Sequence, residues 1–143
     1  MKKIKTLAPF LFISFLLALG WMIAGGKMYH YNYDFPVPAG INLFPLISWT
    51  LGLFAILLIY FRFEKLIKPS VFWKKFVLFV AIYWILLIFG ETVGYYTFGV
   101  HNLPTASYEG LPIFKCLHAP FWMQTVYFLM GPIYFLLIRI SRP

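Results

Sequence analysis

The residues best suited to chemistry in this chain are few, and one of them stands where a charge is unwelcome. Glu91 lies in Phe89-Gly-Glu-Thr-Val-Gly94, inside an apolar run. The polar side chains able to join it are His101, Glu109 and His118 in the following segment, Gln124 and Tyr127 beyond, Tyr95 one helical turn on, and His30 and Asp34 earlier. A carboxyl in a low-dielectric setting can act as acid or base near neutral pH, and a nearby histidine can relay the proton. Glu91, His101, Glu109 and His118 are therefore the candidate catalytic set. Gln124, Tyr127, Tyr95, Trp122, His30 and Asp34 are the candidate ligand-binding set. Such a site suits isomerisation, cyclisation or hydrolysis of a lipid whose reactive group lies near the headgroups. The plainer alternative is that a protonated Glu91 ties its helix to the next one through Gln124 or a tyrosine.

Other chemistries fit less well. Cys116-x-His118, with His101 and Glu109, could offer zinc ligands, but the spacing matches no standard structural site, and no metal is expected. Haem ligation is disfavoured because His30, His101 and His118 all fall in loops. No glycine-rich phosphate loop, G-x-S-x-G or H-E-x-x-H occurs, and no cofactor is expected. The single cysteine, Cys116, excludes an intrachain disulfide; it is expected to be buried at the head of the last span, the alternative being a pairing with another chain.

The elements that must position these groups are four apolar stretches, Leu7–Ala24, Ile41–Phe61, Phe76–Phe98 and Ala119–Ile138. Each is long enough to cross roughly 30 Å of hydrocarbon at about 1.5 Å per residue. Lys2, Lys3, Lys5, Arg62, Lys65, Lys68, Lys74, Lys75, Arg139 and Arg142 lie in the N-terminus, the middle loop and the C-terminus, whereas only Lys27 and Lys115 lie in the other two loops. Positive residues stay on the cytoplasmic side, so both termini are expected inside and the two longer loops outside. The first stretch follows three lysines as a signal peptide would, but no small-x-small cleavage pattern follows cleanly, and it reads as an uncleaved span.

Composition agrees. The 143 residues are 62% hydrophobic and 11% charged, where a soluble domain carries about a quarter charged residues. One transmembrane domain over residues 1–143 fits this length. The net charge of +8 sits in short clusters flanking the spans, which suits anionic lipid headgroups rather than nucleic acid.

Within the spans, Glu91 falls at about the sixteenth helical position, roughly 8 Å below the outer boundary of the apolar slab. An ionised carboxylate there costs at least about 2.5–3.5 kcal/mol, so Glu91 is expected to face the bundle rather than lipid. Gly90 and Gly94 form a small-x-x-x-small pair on which another helix is expected to pack. Asn42, Pro45, Ser48 or Trp49, and Gly52 share a face of the second span and read as a second packing surface. Pro132 should free a carbonyl and bend the fourth span. In the cytoplasmic loop, Glu64 is expected to pair with Lys65 or Lys68. Tyr29, Tyr31 and Tyr33 alternate with His30, Asn32 and Asp34, the two-residue period of an extended segment lying on the bundle mouth. The loop Gly99–His118 is longer than most connections and carries Leu111, Ile113, Phe114 and Leu117, so part of it should fold back. Tyr83, Trp84, Trp122 and Tyr127 are interior aromatics that could line a pocket for a sterol, isoprenoid or carotenoid, although anchoring and packing account for most of the aromatic content.

The sequence thus reads as an all-α membrane protein: a four-helix transmembrane bundle with cytoplasmic termini and two structured outer loops, expected in a bacterial inner (plasma) membrane. The leading functional expectation is binding of a lipid or lipophilic small molecule, or of a partner subunit or second copy, through a polar pocket near the outer leaflet. The alternative is a membrane enzyme using Glu91 as acid/base. A proton or solute carrier is a third reading. Simple conduction is disfavoured because the inner halves of the spans are almost wholly apolar, and no internal repeat points to an inverted-repeat transporter.

Overall fold

The computed structural model describes residues 7–67, 71–112 and 114–141. Four helices are long and apolar enough to cross a membrane: α1 (Ala8–Gly25), α2 (Leu43–Glu64), α3 (Phe72–Tyr96) and α4 (Phe121–Ile140). No strand occurs among the described residues. The helix contacts run α1 to α2, α2 to α3, α3 to α4 and α4 back to α1, so consecutive helices are antiparallel neighbours around a ring. One end, here the basic end, carries the α2–α3 connection and the end of α4. The other, the capped end, carries the connections between α1 and α2 and between α3 and α4. Lys2, Lys3, Lys5, Lys68, Ile113 and Arg142 lie outside the described residues.

Local sequence sets the helix starts. Pro9 stands in the first turn of α1, where a missing N–H costs nothing. Asn42 caps α2, its Oδ1 accepting from the Phe44 N–H at 3.0 Å. Pro120 precedes the first residue of α4, and the Met123 and Gln124 N–H groups return to its carbonyl. At the basic end the helices outrun the apolar stretches: α2 continues to Glu64, α3 starts at Phe72 and α4 reaches Ile140. Arg62, Lys74, Lys75 and Arg139 are therefore helical; long stems let a helix continue past its apolar stretch while Arg62, Lys74 and Arg139 stay exposed and Lys75 is paired. Glu64 pairs with Lys75 of α3 at 3.1 Å rather than with Lys65, which as its immediate neighbour points away around the helix.

In an apolar solvent, packing and interhelical hydrogen bonds hold helices together. The Ser14 hydroxyl meets that of Tyr134 at 2.5 Å, joining α1 to α4. Pro132 has no N–H to offer the Phe128 carbonyl, and Trp84 of α3 supplies the missing donor, Nε1 to the Phe128 oxygen at 3.1 Å. Tyr83 donates to the adjacent Tyr127 carbonyl at 2.6 Å. The Tyr83 ring packs so closely on Gly131 that an added Cβ would overlap its Cδ1 and Cγ atoms. Trp84 therefore repairs the proline defect. Gly25 likewise makes room for the Trp21 ring, whereas Gly20 faces open space.

The two connections at the capped end are stitched together. Asn102 Oδ1 accepts from the His30 N–H at 3.0 Å and its Nδ2 donates to the Met28 carbonyl at 2.7 Å. Asn32 answers from the other side, accepting from the His101 N–H at 2.8 Å and donating to the Gly99 carbonyl at 2.9 Å. An isolated antiparallel bridge between Tyr31 and Asn102 lies between these clamps. His30, Asn32 and Asp34 are exposed, Tyr29 is buried and Tyr31 is partly buried, while Tyr33 is exposed.

Further along, the loop before α4 folds back. Gln124 Nε2 reaches the carbonyls of Glu109, Leu117 and Ala119 at 3.2, 3.2 and 3.0 Å. Leu111 N–H donates to the Cys116 carbonyl at 2.7 Å, an approach so close that a Cβ on Gly110 would sit 2.7 Å from the same oxygen. Phe114, Lys115 and Leu117 take left-handed backbone angles, φ 60°, 44° and 56°, at about 1–2 kcal/mol each.

Candidate functional site

Between α2 and α3, near the capped end, the bundle leaves a groove of about 400 Å³. Small residues create it. Cβ atoms added at Gly52, Gly90 or Gly94 would meet nothing within 4 Å. The small residues expected to draw helices together here hold two walls apart, because no neighbouring side chain fills the space they vacate. Aromatic groups supply much of the remaining lining: Tyr29, Tyr31, Phe44, Trp49, Tyr83 and Tyr95. Ser48, Gly52, Ala55, Ile59, Gly90 and Glu91 all line it and are exposed, although each lies within a span, so the groove opens on the flank of the bundle.

Among the described residues Glu91 is its only acidic lining residue. The sequence predicts a carboxyl facing the bundle rather than lipid; Glu91 lines the groove and can be reached from the flank. It stands five residues before the end of α3, about 8 Å along the axis. The His118 imidazole lies near enough to act on it electrostatically.

Tyr95 lines the groove one turn further along and is clasped by both loop histidines. Its ring centroid is 4.2 Å from that of His101, edge-on, and 5.0 Å from that of His118, stacked. His118 Nδ1 donates to the Tyr108 carbonyl at 2.8 Å, which fixes the orientation of the ring. Behind the groove, Trp49 stacks on Tyr127 at 5.4 Å. The Tyr29 hydroxyl accepts from Trp21 Nε1 at 2.6 Å and meets the Tyr127 hydroxyl at 2.7 Å. Burial pushes the Tyr29 and Tyr31 phenols well above the ordinary tyrosine range, so both stay neutral hydrogen-bonding groups.

The groove thus brings together part of the expected set. Glu91 and Tyr95 line it, His101 and His118 flank Tyr95, and Tyr127 backs it. Gln124 and Glu109 stand apart: Gln124 braces the loop, and Glu109 gives it a backbone carbonyl while remaining exposed. His30 and Asp34 are exposed on the stitched connection, and Trp122 packs toward Trp21 at 6.2 Å. Trp49 and Gly52, expected only as part of a packing surface on the second span, line the groove, as do Tyr31 of the extended segment and Phe44, which the sequence does not single out. Among the described residues no group of three His, Cys, Asp or Glu side chains could hold a metal ion. Cys116 is buried, and burial raises its thiol pKa.

The chain matches no protein-family model, no curated protein and no solved structure.

Proposed function

We propose that this integral membrane protein binds a lipophilic molecule in the α2–α3 groove, the molecule's polar head meeting Glu91. The carrying observation is a lone carboxyl set in an aromatic and glycine-lined groove on the membrane-facing flank. A volume of about 400 Å³ falls within the range of about 300–1,000 Å³ typical of small-molecule sites. The carboxyl selects a head that donates hydrogen bonds or carries positive charge, and the rings receive the apolar body. Basic clustering supports cytoplasmic termini. Among the described residues the basic end carries Arg62, Lys65, Lys74, Lys75 and Arg139 against Glu64, while the capped end carries Lys27 and Lys115 against Asp34, Glu91 and Glu109. The groove then opens in the outer leaflet of a plasma membrane.

A second reading is an enzyme in which Glu91 exchanges a proton with the bound molecule, favoured by its place in the groove beside Tyr95, which both loop histidines flank.

Native mass spectrometry on protein released from mild detergent, with lipid analysis of what co-purifies, tests the binding proposal. A defined lipophilic species is expected on the wild type. Occupancy should fall about tenfold or more in Glu91→Gln, since hydrogen bonds to charged groups are worth about 1.5–3 kcal/mol. Wild-type occupancy in Glu91→Gln would refute the assigned role of Glu91. A stoichiometric second polypeptide covering the groove would replace the small-molecule reading with a subunit contact.

A further inference from the structure

We propose that the basic end holds a second, independent site, in which Lys75 and Arg139 bind the phosphodiester of an anionic membrane phospholipid. A recess of about 200 Å³ lies there where α2, α3 and α4 converge. Its lining joins Glu64, Lys75 and Arg139 to the aromatic side chains of Tyr60, Phe79 and Phe135. This is a built recess rather than a scatter of surface lysines. Lys75 is held at 3.1 Å by Glu64, and both side chains are mostly buried, at 19% and 14% exposure. Arg139 is fixed differently: its guanidinium carbon sits 4.2 Å from the Phe72 ring centroid, on the face where a cation is attracted. That contact orients the guanidinium without using its hydrogen-bond donors.

Charge decides the occupant. One carboxylate and two cations leave the recess with a net positive charge. Among the described residues the rest of this end adds Arg62, Lys65 and Lys74 and no further acid. Arginine presents a planar fork of donors suited to phosphate, and lysine supplies a point charge beside it. The helices run past their apolar stretches at this end, which puts the recess at headgroup depth, where phosphodiesters lie. The aromatic floor faces the glycerol and the first acyl carbons. The α3 N-terminus, with no acidic residue in its first turn, opens at the same level and adds the positive end of its dipole.

The test uses the full chain in a neutral detergent, titrated with phosphatidylglycerol or phosphatidylcholine. Bound lipid is counted by native mass spectrometry, and the thermal unfolding midpoint is followed in parallel. Phosphatidylglycerol should bind and raise the midpoint, and phosphatidylcholine should bind at least tenfold more weakly. Arg139→Gln, at an exposed position that leaves no cavity, should weaken phosphatidylglycerol about tenfold or more. Lys65→Gln removes the same charge outside the recess and should change affinity less than about twofold. The paired variant Glu64→Gln with Lys75→Gln removes the lysine without stranding the carboxylate; it leaves the net charge of the recess unchanged, so it should weaken binding less than Arg139→Gln does, through loss of the lysine contact alone. Equal binding of the two lipids overturns the proposal, as does an Arg139→Gln effect no larger than that of Lys65→Gln. Inorganic phosphate protecting the protein as well as phosphatidylglycerol would assign the recess to a free anion and overturn the lipid assignment. If the paired variant does not fold, the contrast between Arg139→Gln and Lys65→Gln decides alone.

Discussion

Gly90→Leu separates the groove from the fold that carries it. Nothing lies within 4 Å of the position a Cβ would take at Gly90, so the new side chain meets open space beside Glu91. A glycine inside a helix is about 0.8–1.0 kcal/mol less favourable than alanine, and leucine is nearly as good as alanine. The variant should therefore be as stable as the wild type or more so, by up to about 1 kcal/mol, a rise of about 2–4 °C in unfolding midpoint for a chain of this size. Binding should move the other way. An occupant drawn from the bilayer gains little hydrophobic energy, because its tail leaves hydrocarbon rather than water. The contact with Glu91 and the fit to the walls supply its specificity, and blocking them at about 1.5–3 kcal/mol lowers affinity about tenfold to a hundredfold. Thermal unfolding and native mass spectrometry on one preparation read both effects. A midpoint several degrees lower would mean that the groove is closed in the folded protein. An unchanged ligand occupancy would mean that the ligand sits elsewhere.

The same substitution chemistry has the opposite outcome one helix away. Gly131→Ala makes a Cβ overlap the Tyr83 ring, which is fully buried and hydrogen-bonded through its hydroxyl, so a loss of about 1–3 kcal/mol is expected in denaturant or thermal melts. Trp84→Phe keeps an aromatic ring but leaves the Phe128 carbonyl without its donor beside Pro132; a cost of about 1–3 kcal/mol should appear in the same melts, and Trp84→Leu should cost no less. Burial raises the Cys116 thiol and the Tyr29 and Tyr31 phenols, so the folded chain retains protons that the unfolded chain releases. Their contribution to stability should be level from pH 7 to about the ordinary thiol value of 9.0 and then fall as pH rises, more steeply above the tyrosine value of 10.0. Melts between pH 7 and 11 that showed stability rising with pH would contradict that sign.

The four helices were legible because the apolar runs are long and the basic residues flank them; the helix bounds differ from those runs by one to four residues. The largest difference, at the start of α3, arises because Phe72, Trp73, Lys74 and Lys75 prolong the helix where hydropathy has already fallen. The proline defect was legible at Pro132, but its repair by Trp84 was not, since that depends on which α3 residue stands opposite Phe128. Glu91 stood out by its cost. Its surroundings did not, because a glycine pair permits a close helix contact or a gap equally well, and only the side chains opposite decide. Gln124, placed by its spacing on the same face as Tyr127, gathers loop carbonyls instead, a role fixed by where Glu109, Leu117 and Ala119 lie.

An opening on the flank changes how concentration must be counted. A molecule reaching Glu91 between α2 and α3 arrives by lateral diffusion within the acyl layer, without crossing an aqueous vestibule. Its supply is therefore its mole fraction among lipids, and a compound almost insoluble in water can still saturate the groove. Titrations expressed in bulk molarity would drift with the amount of bilayer present, whereas those expressed per lipid would coincide on one curve.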